Sequence, residues 1–107
     1  MNEEGILVAL GYNSDEVTMT QLRRILSHCD FEQNELERIV GLNDKLKMYG
    51  GYIAMSNSED VFKIKNDSPN PKFKEAVREI IFAWSEKFKL RLRKVEGKDT
   101  YYITGRY

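Results

Sequence analysis

The sequence predicts a small α+β protein in which helices and β-hairpins follow one another along a single chain. Apolar residues recur at helical spacing in three stretches, short runs alternate between apolar and polar residues, and turn-forming residues separate these segments. The chain has 107 residues, of which 41% are hydrophobic and 11% aromatic, enough for one domain with its own core. We expect one compact domain made of a unit at residues 1–67 and an extension at residues 68–107 that packs on it.

The apolar run Ile6–Leu10 does not by itself distinguish a helix from a strand. Its position ahead of two predicted helices favours a short helix that packs beneath them, with Gly11–Ser14 as the exit. A first strand of the sheet is the alternative interpretation of residues 2–12.

Two longer helices are predicted at residues 18–29 and 31–48. In each, a capping residue is followed three positions later by a glutamine, as Thr18 is by Gln21 and Asp30 by Gln33. The connection is so short that the two helices must cross at a steep angle, as in a helix-turn-helix unit. Apolar residues fall on one face of each helix: Leu22, Ile25, Leu26 and Cys29 in the first, and Leu36, Ile39, Val40, Leu42 and Leu46 in the second.

A β-hairpin is predicted after the Gly50-Gly51 pair, since glycine commonly ends a helix. Its strands are Tyr52–Met55 and Val61–Lys65, joined by a polar turn. Apolar residues alternate with lysines in the second strand, which predicts one apolar face and one basic face.

The segment at residues 66–71 holds both prolines and is the clearest internal break. Asn70 as a cap and Pro71 as the first helical residue predict that a third long helix starts there. Its apolar residues form one stripe: Phe73, Val77, Ile80, Ile81, Trp84 and Phe88. Phe82 lies about 180° from that stripe, among charged residues, which suggests a second contact surface.

A final hairpin is predicted from the strands Leu90–Val95 and Thr100–Thr104. Leucines alternate with basic residues in its first strand, and Tyr101 and Ile103 of the second strand can match those leucines. The extension is too small to fold alone, so we expect it to pack on the preceding unit or on a second copy of itself.

At residues 17–65 the pattern resembles a winged helix-turn-helix domain of the bacterial segregation-and-condensation protein B type. The resemblance is carried by VTMTQLRRIL, by LNDKLKMYGG at the end of the second helix and by YIAMSNSEDVFKIK as the wing. EEGILVALGYNSDE stands where that fold has its first helix, so the resemblance extends over residues 3–65. It implies a winged-helix-like core and chromosome-associated protein–protein assembly, or transcriptional regulation as in broader winged-helix relatives. The chain from Pro71 onward has no counterpart in that pattern.

The charges balance overall, at 17 basic and 17 acidic residues, but not along the chain. Residues 1–48 hold five bases and nine acids, 5 − 9 = −4, and residues 49–107 hold twelve bases and eight acids, 12 − 8 = +4. This asymmetry favours self-association or one basic face. The single cysteine excludes an internal disulfide, and the N-terminal apolar run is too short for a signal peptide or a membrane span. We therefore expect a cytoplasmic protein without a membrane partner.

No residue pattern predicts an enzyme, a metal site or a cofactor. His28 and Cys29 are sequence neighbours that point about 100° apart on a helix, so they do not form a nucleophile–base pair or chelate one metal. Cys29 fits the core, His28 fits the surface, and neither glycine pair has the spacing of a phosphate-binding loop.

The sequence therefore predicts a non-catalytic binding module that acts on a protein partner or on a second copy of itself. The residues expected to contact that partner are Phe82, Arg78 and Glu79. The alternative is nucleic-acid binding or regulation. Its first route is the basic hairpin through Lys89, Arg91, Arg93 and Lys94, and its second route is the helix after the turn through Gln33, Asn34 and Arg38. The acids at the start of that helix repel phosphate and weigh against the second route.

Overall fold

The computed structural model describes residues 1–107 and contains four α-helices and four β-strands. In chain order they are α1 (Glu3–Ala9), α2 (Glu16–Cys29), α3 (Gln33–Leu46), β1 (Gly51–Met55), β2 (Phe62–Asn66), α4 (Pro71–Phe88), β3 (Leu90–Lys94) and β4 (Thr100–Arg106). A 3₁₀ turn at Lys47–Tyr49 follows α3. The α+β class is confirmed, and the first apolar run is a helix rather than a strand.

The four strands form one antiparallel sheet in the order β1-β2-β4-β3. The two hairpins are joined because β2 pairs with β4, with Ile64 opposite Tyr101 and Lys63 opposite Tyr102. Both strands alternate apolar and polar residues, so pairing them extends one apolar face across both hairpins. The extension at residues 68–107 therefore contributes two strands to the sheet that residues 51–66 begin.

One face of the sheet is covered by α2, α3 and α4, and α1 packs on α2 and α3. The buried hydrophobic side chains of this covered face are Ile53, Met55, Phe62, Ile64, Leu90, Tyr101 and Ile103. They belong to a single cluster of 23 buried hydrophobic residues that draws on all four helices, so the helices and the sheet share one core. The other face of the sheet, which includes Tyr52, Lys63, Lys65 and Tyr102, is not covered by a helix.

The predicted start of α2 at Thr18 is wrong by one turn. Asp15 caps this helix: its carboxylate accepts from the Thr18 N–H at 2.9 Å, and the Thr18 hydroxyl accepts from the Asp15 N–H at 3.0 Å. Asp15 and Thr18 have the same three-residue spacing as Thr18 and Gln21, and starting at the earlier pair gives the helix an additional turn.

The predicted N-cap of α3 at Asp30 is also wrong, because Asp30 ends α2 in the left-handed conformation, with φ of 55°. Phe31 is buried and stacks on Phe62 with ring centroids 6.2 Å apart. The chain needs an extended residue after Phe31 before it can turn into α3. Glu32 is that residue and the actual cap, and its N–H donates to Glu35 Oε1 at 2.8 Å.

The start of α4 is confirmed, since Asn70 Oδ1 accepts from the Lys72 N–H at 2.9 Å and Pro71 is the first residue of the helix. The predicted apolar stripe is buried at Val77, Ile81 and Trp84. It is wrong at Phe73, which is 48% exposed. The Phe73 ring lies beside the 3₁₀ turn at the margin of the core, where it contacts the Tyr49 ring edge-on with centroids 5.8 Å apart.

The final hairpin forms as predicted, but its register differs in part. Matching both leucines would need Leu92 opposite Tyr101 and Leu90 opposite Ile103, whereas Leu92 lies opposite Ile103 and Lys94 lies opposite Tyr101. An irregularity between Arg91 and Leu92 shifts the pairing by one residue, as a β-bulge does.

Candidate binding surfaces

A groove of about 660 Å³ runs between α3 and α4 on the side that faces away from the sheet. The two helices are held together where the indole N–H of Trp84 donates to the Arg38 carbonyl at 3.1 Å. The Arg38 guanidinium also lies 4.1 Å from the centre of the Phe88 ring. The start of α3 therefore lies beside the end of α4, so the helices are antiparallel.

The groove has an apolar floor and a charged rim. Large side chains form the floor: Leu42, Ile80, Trp84 and Phe88. Small residues line its sides: Gly41, Ala76 and Ala83. Charged residues stand around it: Glu37, Arg38, Lys45, Glu79 and Lys87. An open apolar groove of this kind is typical of a site that another helix or chain can cover.

The charges on the rim follow the same pattern on both helices. Glu37, Gly41 and Lys45 are four residues apart on α3, and Glu79, Ala83 and Lys87 are four residues apart on α4. Residues at this spacing line one side of a helix, and all six line the groove. We call each set a Glu–small–Lys triplet. None of the four charged residues takes part in an ion pair within the chain.

A second open surface is the side of the sheet that no helix covers, which we call the outer sheet face. Its residues form two rows across the strands: Tyr52, Lys65 and Thr100 in one, and Ala54, Lys63, Tyr102 and Arg93 in the other. Arg91 follows on the same side of β3 by strand alternation. Each tyrosine shares its row with a lysine, although the two come from different strands.

On the outer sheet face, the lysines differ from Arg93 in whether a carboxylate pairs with them. Arg93 donates to both carboxylate oxygens of Glu59, at 2.6 and 2.8 Å, and its guanidinium lies 4.9 Å from the Tyr102 ring centre. Lys63 and Lys65 have no carboxylate partner. Hydrogen bonds to serine hydroxyls lower the pKa of Tyr102, and the bond to Ser58 has the largest effect. Lys63, Lys65 and Arg91, which also lacks a carboxylate partner, are therefore the charges most available to an anionic ligand.

The three predicted partner contacts on α4 lie in different surroundings. The Phe82 ring packs edge-on against Tyr101, with centroids 5.5 Å apart, and remains 51% exposed. Arg78 Nε donates to Asp99 Oδ2 at 2.9 Å. Glu79 stands on the rim of the groove. The structure thus places Phe82 and Arg78 against the sheet and only Glu79 at the groove.

Asp99, which the sequence placed in an ordinary turn, connects α4 to the sheet. Besides Arg78, its carboxylate accepts from Asn66 Nδ2 at 3.0 Å and from the Tyr101 hydroxyl at 2.8 Å. Burial and this hydrogen bond raise the pKa of Tyr101 to about 12. No sequence signal identifies this role, because its partners are up to 33 residues away.

The predicted nucleic-acid contacts of the hairpin do not all lie together. Arg91 and Arg93 belong to the outer sheet face, and the Arg91 guanidinium lies 5.6 Å from the Tyr107 ring centre. Lys89 ends α4 in the left-handed conformation, with φ of 58°. Lys94 alternates onto the helix-covered side, and its ammonium donates to the Val95 carbonyl at 3.3 Å.

The predicted contacts on α3 are partly engaged within the chain. Gln33 Nε2 donates to the Met1 carbonyl at 2.7 Å, Arg38 covers Phe88, and Asn34 is exposed. The acids at this end of α3 surround Arg106 from β4: Asp30 at 3.1 Å, and Glu32 and Glu35 at 3.7 Å. The acidic and basic halves of the chain therefore neutralise each other here.

Cys29 is 5% exposed and its thiol points at the Ile103 carbonyl, 3.7 Å away. Burial, together with the nearby Asp60 carboxylate, raises the pKa of the Cys29 thiol to about 11. A thiol in this state is a weak nucleophile at neutral pH. The prediction that Cys29 belongs to the core is confirmed, and His28 is exposed at the end of α2.

No group of three or more His, Cys, Asp or Glu side chains is arranged to hold a metal ion. None of the four helices combines the length and apolar character needed to cross a membrane. Comparison with protein-family models, with curated proteins and with solved structures found no match.

Proposed function

We propose that this protein is a non-catalytic binding module that self-associates through the α3–α4 groove. The observation that carries the proposal is the pair of Glu–small–Lys triplets, one on each of two antiparallel helices that line the same groove. A surface whose charges change sign from one end to the other, with small residues in the middle, is complementary to a rotated copy of itself. Two-fold symmetric dimers require that kind of self-complementarity.

The charge pattern supports a two-fold dimer in either of two orientations. With the axis across the helices, α3 faces α3 of the second copy in the antiparallel sense, and Glu37 meets Lys45 of the second copy. With the axis along the helices, α3 faces α4 of the second copy, and Glu37 meets Lys87 of the second copy. Glu79 meets a lysine in both cases. Opposite charges therefore face one another whichever axis is used.

The small residues at the centre supply the space that such a dimer needs. Helices pack about 8–10 Å apart, and the shorter distances require small side chains at the contact. Gly41 and Ala83 are exposed at the middle of their triplets. Their close approach would cover Ile80 and Phe88, which are only partly buried within the chain. Covering apolar area contributes roughly 25 cal/mol per Å² and is the main driving force we expect.

The size of this face indicates a dimer of modest affinity. A helix of 14 residues such as α3 is about 21 Å long, so the paired face measures roughly 20 by 20 Å. Stable interfaces cover about 800 Å² per partner, so this one falls at the small end. Exposed ion pairs add about 0.2–1 kcal/mol each. We expect a dimer that forms at micromolar concentrations.

Replacing Gly41 tests the proposal without harming the chain's own fold. A Cβ at Gly41 meets no atom within 4 Å, so Gly41→Gln is compatible with the monomer. The longer side chain would separate the two copies, and sedimentation velocity over a micromolar concentration series should show only monomer. Ser27→Gln, on the exposed side of α2, is the matched control and should keep the dimer. A wild-type chain that stays monomeric throughout the series would refute self-association.

Charge exchange then distinguishes the two orientations. Glu37→Lys with Lys45→Glu preserves complementarity only if α3 faces α3, whereas Glu37→Lys with Lys87→Glu preserves it only if α3 faces α4. The variant that dimerises like the wild type identifies the axis. If both dimerise like the wild type, the groove charges have no part in the contact and the triplet argument is wrong.

The proposal includes a winged-helix-like interpretation of residues 3–65. It is supported by the order of elements, in which α1, α2 and α3 are followed by the β1–β2 hairpin. The resemblance to segregation-and-condensation protein B implies protein–protein assembly, which agrees with self-association. A cytoplasmic location is part of the same proposal, since the lone cysteine fits a reducing compartment.

A further inference from the structure

The outer sheet face combines aromatic and basic side chains in an arrangement that plays no part in self-association through the groove. β2 pairs with β1 on one side and β4 on the other, which places Lys65 opposite Tyr52 and Lys63 opposite Tyr102. The β1–β2 hairpin supplies Tyr52, and the β3–β4 hairpin supplies Tyr102. This side of the sheet lies opposite the α3–α4 groove, so its function is independent of self-association.

The charge of the face is positive. Its cations are Lys63, Lys65, Arg91 and Arg93, and the acids beside them are Glu59, which pairs with Arg93, and Asp67, which lies near Tyr52. The sum is 4 − 2 = +2, and both lysines are left without a carboxylate. Such a surface repels a second copy of itself and attracts an anionic ligand.

The spacing of the tyrosines suits a ligand with several flat rings. Tyr52 is 39% exposed and Tyr102 is half-buried. They are separated by two strands and two residues, which corresponds to roughly 10 Å across the sheet and 7 Å along it. A strand with unstacked bases can place rings on both tyrosines and run its phosphates past the lysines between them. A duplex keeps its bases stacked inside and cannot do so.

We propose that the outer sheet face binds single-stranded nucleic acid, with bases stacked on Tyr52 and Tyr102 and phosphates held by Lys63 and Lys65. The inference goes beyond self-association and uses a different surface. Two of the basic residues predicted from the sequence, Arg91 and Arg93, fall at the edge of this face. The lysines of β2 carry the main charge contribution, because Arg93 is already paired.

Fluorescence anisotropy of labelled oligo(dT) and oligo(U), titrated at low and moderate salt, tests the proposal. We expect affinity to fall linearly on a log–log salt plot with a slope of about −0.7 per phosphate contacted, or roughly −1.4 to −2.1 for two to three phosphates. A duplex of equal length should bind more weakly. Stronger binding of either DNA or RNA supports the proposal, because stacking and phosphate contacts occur in both.

Two kinds of variant separate charge from stacking. Lys63→Glu with Lys65→Glu should abolish binding, whereas Lys72→Glu with Lys74→Glu makes the same change of charge on α4 and should leave binding almost unaltered. Tyr102→Leu should weaken binding roughly 5- to 100-fold, as loss of one stacked base does. Tyr102→Phe keeps the ring and should bind like the wild type. If Tyr102→Leu fails to fold, Tyr52→Leu repeats the test at the second ring.

Three results would overturn the proposal: no binding at low salt, duplex binding as tight as single-strand binding, or equal losses in the two lysine variants. The monomeric Gly41→Gln protein retains the outer sheet face, so its binding per chain measures this site alone. A wild-type chain that stays monomeric but still binds oligonucleotide would leave this inference standing and refute only the proposed dimer. Trp84 lines the groove, so its fluorescence should respond to dimerisation and not to oligonucleotide.

Discussion

The α3–α4 groove and the outer sheet face are both open to solvent, but they carry their charge in different ways. In the groove, the two glutamates and two lysines of the Glu–small–Lys triplets cancel and match those of a rotated copy, and Arg38 on the rim lies over the Phe88 ring. The sheet face gathers lysines and arginines beside two tyrosines and keeps a positive balance. A balanced pattern favours the molecule itself as a partner, and an unbalanced one favours a ligand of opposite charge. The net charge of the whole chain is zero and therefore reveals neither charge pattern.

The largest effect we expect is from Asp99→Ala, which should destabilise the fold that carries both surfaces. This substitution removes the carboxylate that accepts from the Asn66 amide, the Tyr101 hydroxyl and Arg78, and with it one of the links between α4 and the sheet. Unpaired buried donors cost about 1–3 kcal/mol each, so we expect a total loss of about 2–4 kcal/mol in urea unfolding. Glu96→Ala, in the exposed part of the same turn, should change stability by less than about 0.5 kcal/mol. Equal effects from the two variants would contradict a structural role for Asp99.

The second largest effect is loss of dimerisation in one variant and loss of oligonucleotide binding in another. Together the two variants test whether the surfaces are independent. Gly41→Gln should weaken dimerisation at least tenfold, about 1.4 kcal/mol, without changing oligonucleotide affinity per chain. Tyr102→Leu should weaken oligonucleotide binding without changing dimerisation. Sedimentation velocity and anisotropy on both proteins provide the comparison. If either variant affects both measurements, the groove and the sheet face are coupled and the distinction drawn above fails.

A smaller effect concerns the core between the two surfaces. The pKa values of Cys29 and Tyr101, at about 11 and about 12, are raised above their ordinary values, so the folded protein holds these protons more tightly than the unfolded chain. The stability they contribute is complete below about pH 8.5 and falls as the pH rises toward 11. We expect a loss of about 1 kcal/mol by about pH 9.5, mostly from Cys29, in urea unfolding at a series of pH values. Cys29→Ala should flatten this dependence, and an unchanged profile would contradict the assignment to the thiol.

The smallest effect should be a gain. Gly41→Ala adds a methyl group that meets no neighbour, and alanine is favoured over glycine in a helix by about 1 kcal/mol or less. Thermal unfolding of the monomer should shift upward by the corresponding few degrees, while the small side chain leaves dimerisation largely intact. Comparison with Gly41→Gln then separates helix stability from the steric requirement of the interface.

Local sequence signals predicted most of the secondary structure. Gly50 ends the helical segment with φ of 88°, Asn70 caps α4 as expected, and the alternation of β2 correctly separates its two faces. The errors lie at Thr18 and Asp30, where two overlapping patterns could cap a helix and tertiary packing selected between them. Phe73 was misassigned for a related reason: a regular stripe shows which side of a helix is apolar, but not where the core beneath it ends.

The candidate surfaces were less predictable than the elements that form them. Arg38, Glu79, Arg91, Arg93 and Tyr102 were named from the sequence, but the groove residues Gly41 and Ala83 and the sheet residue Tyr52 were not. Nothing near Lys63 in the sequence indicates that it will lie beside Tyr102, 39 positions later (102 − 63 = 39). That neighbourhood exists only once β2 and β4 are paired.

Most helices and strands, and the apolar side of each, could be predicted from local sequence, because those properties depend on residues within a turn or two of one another; the apolar run of α1 was the exception. The joining of the two hairpins in one sheet and the antiparallel placement of α3 and α4 beside a common groove became visible only in the folded chain. The physical reason is that these arrangements arise from burying several apolar faces together in one core. That burial juxtaposes distant residues, and both proposed binding surfaces consist of such residues.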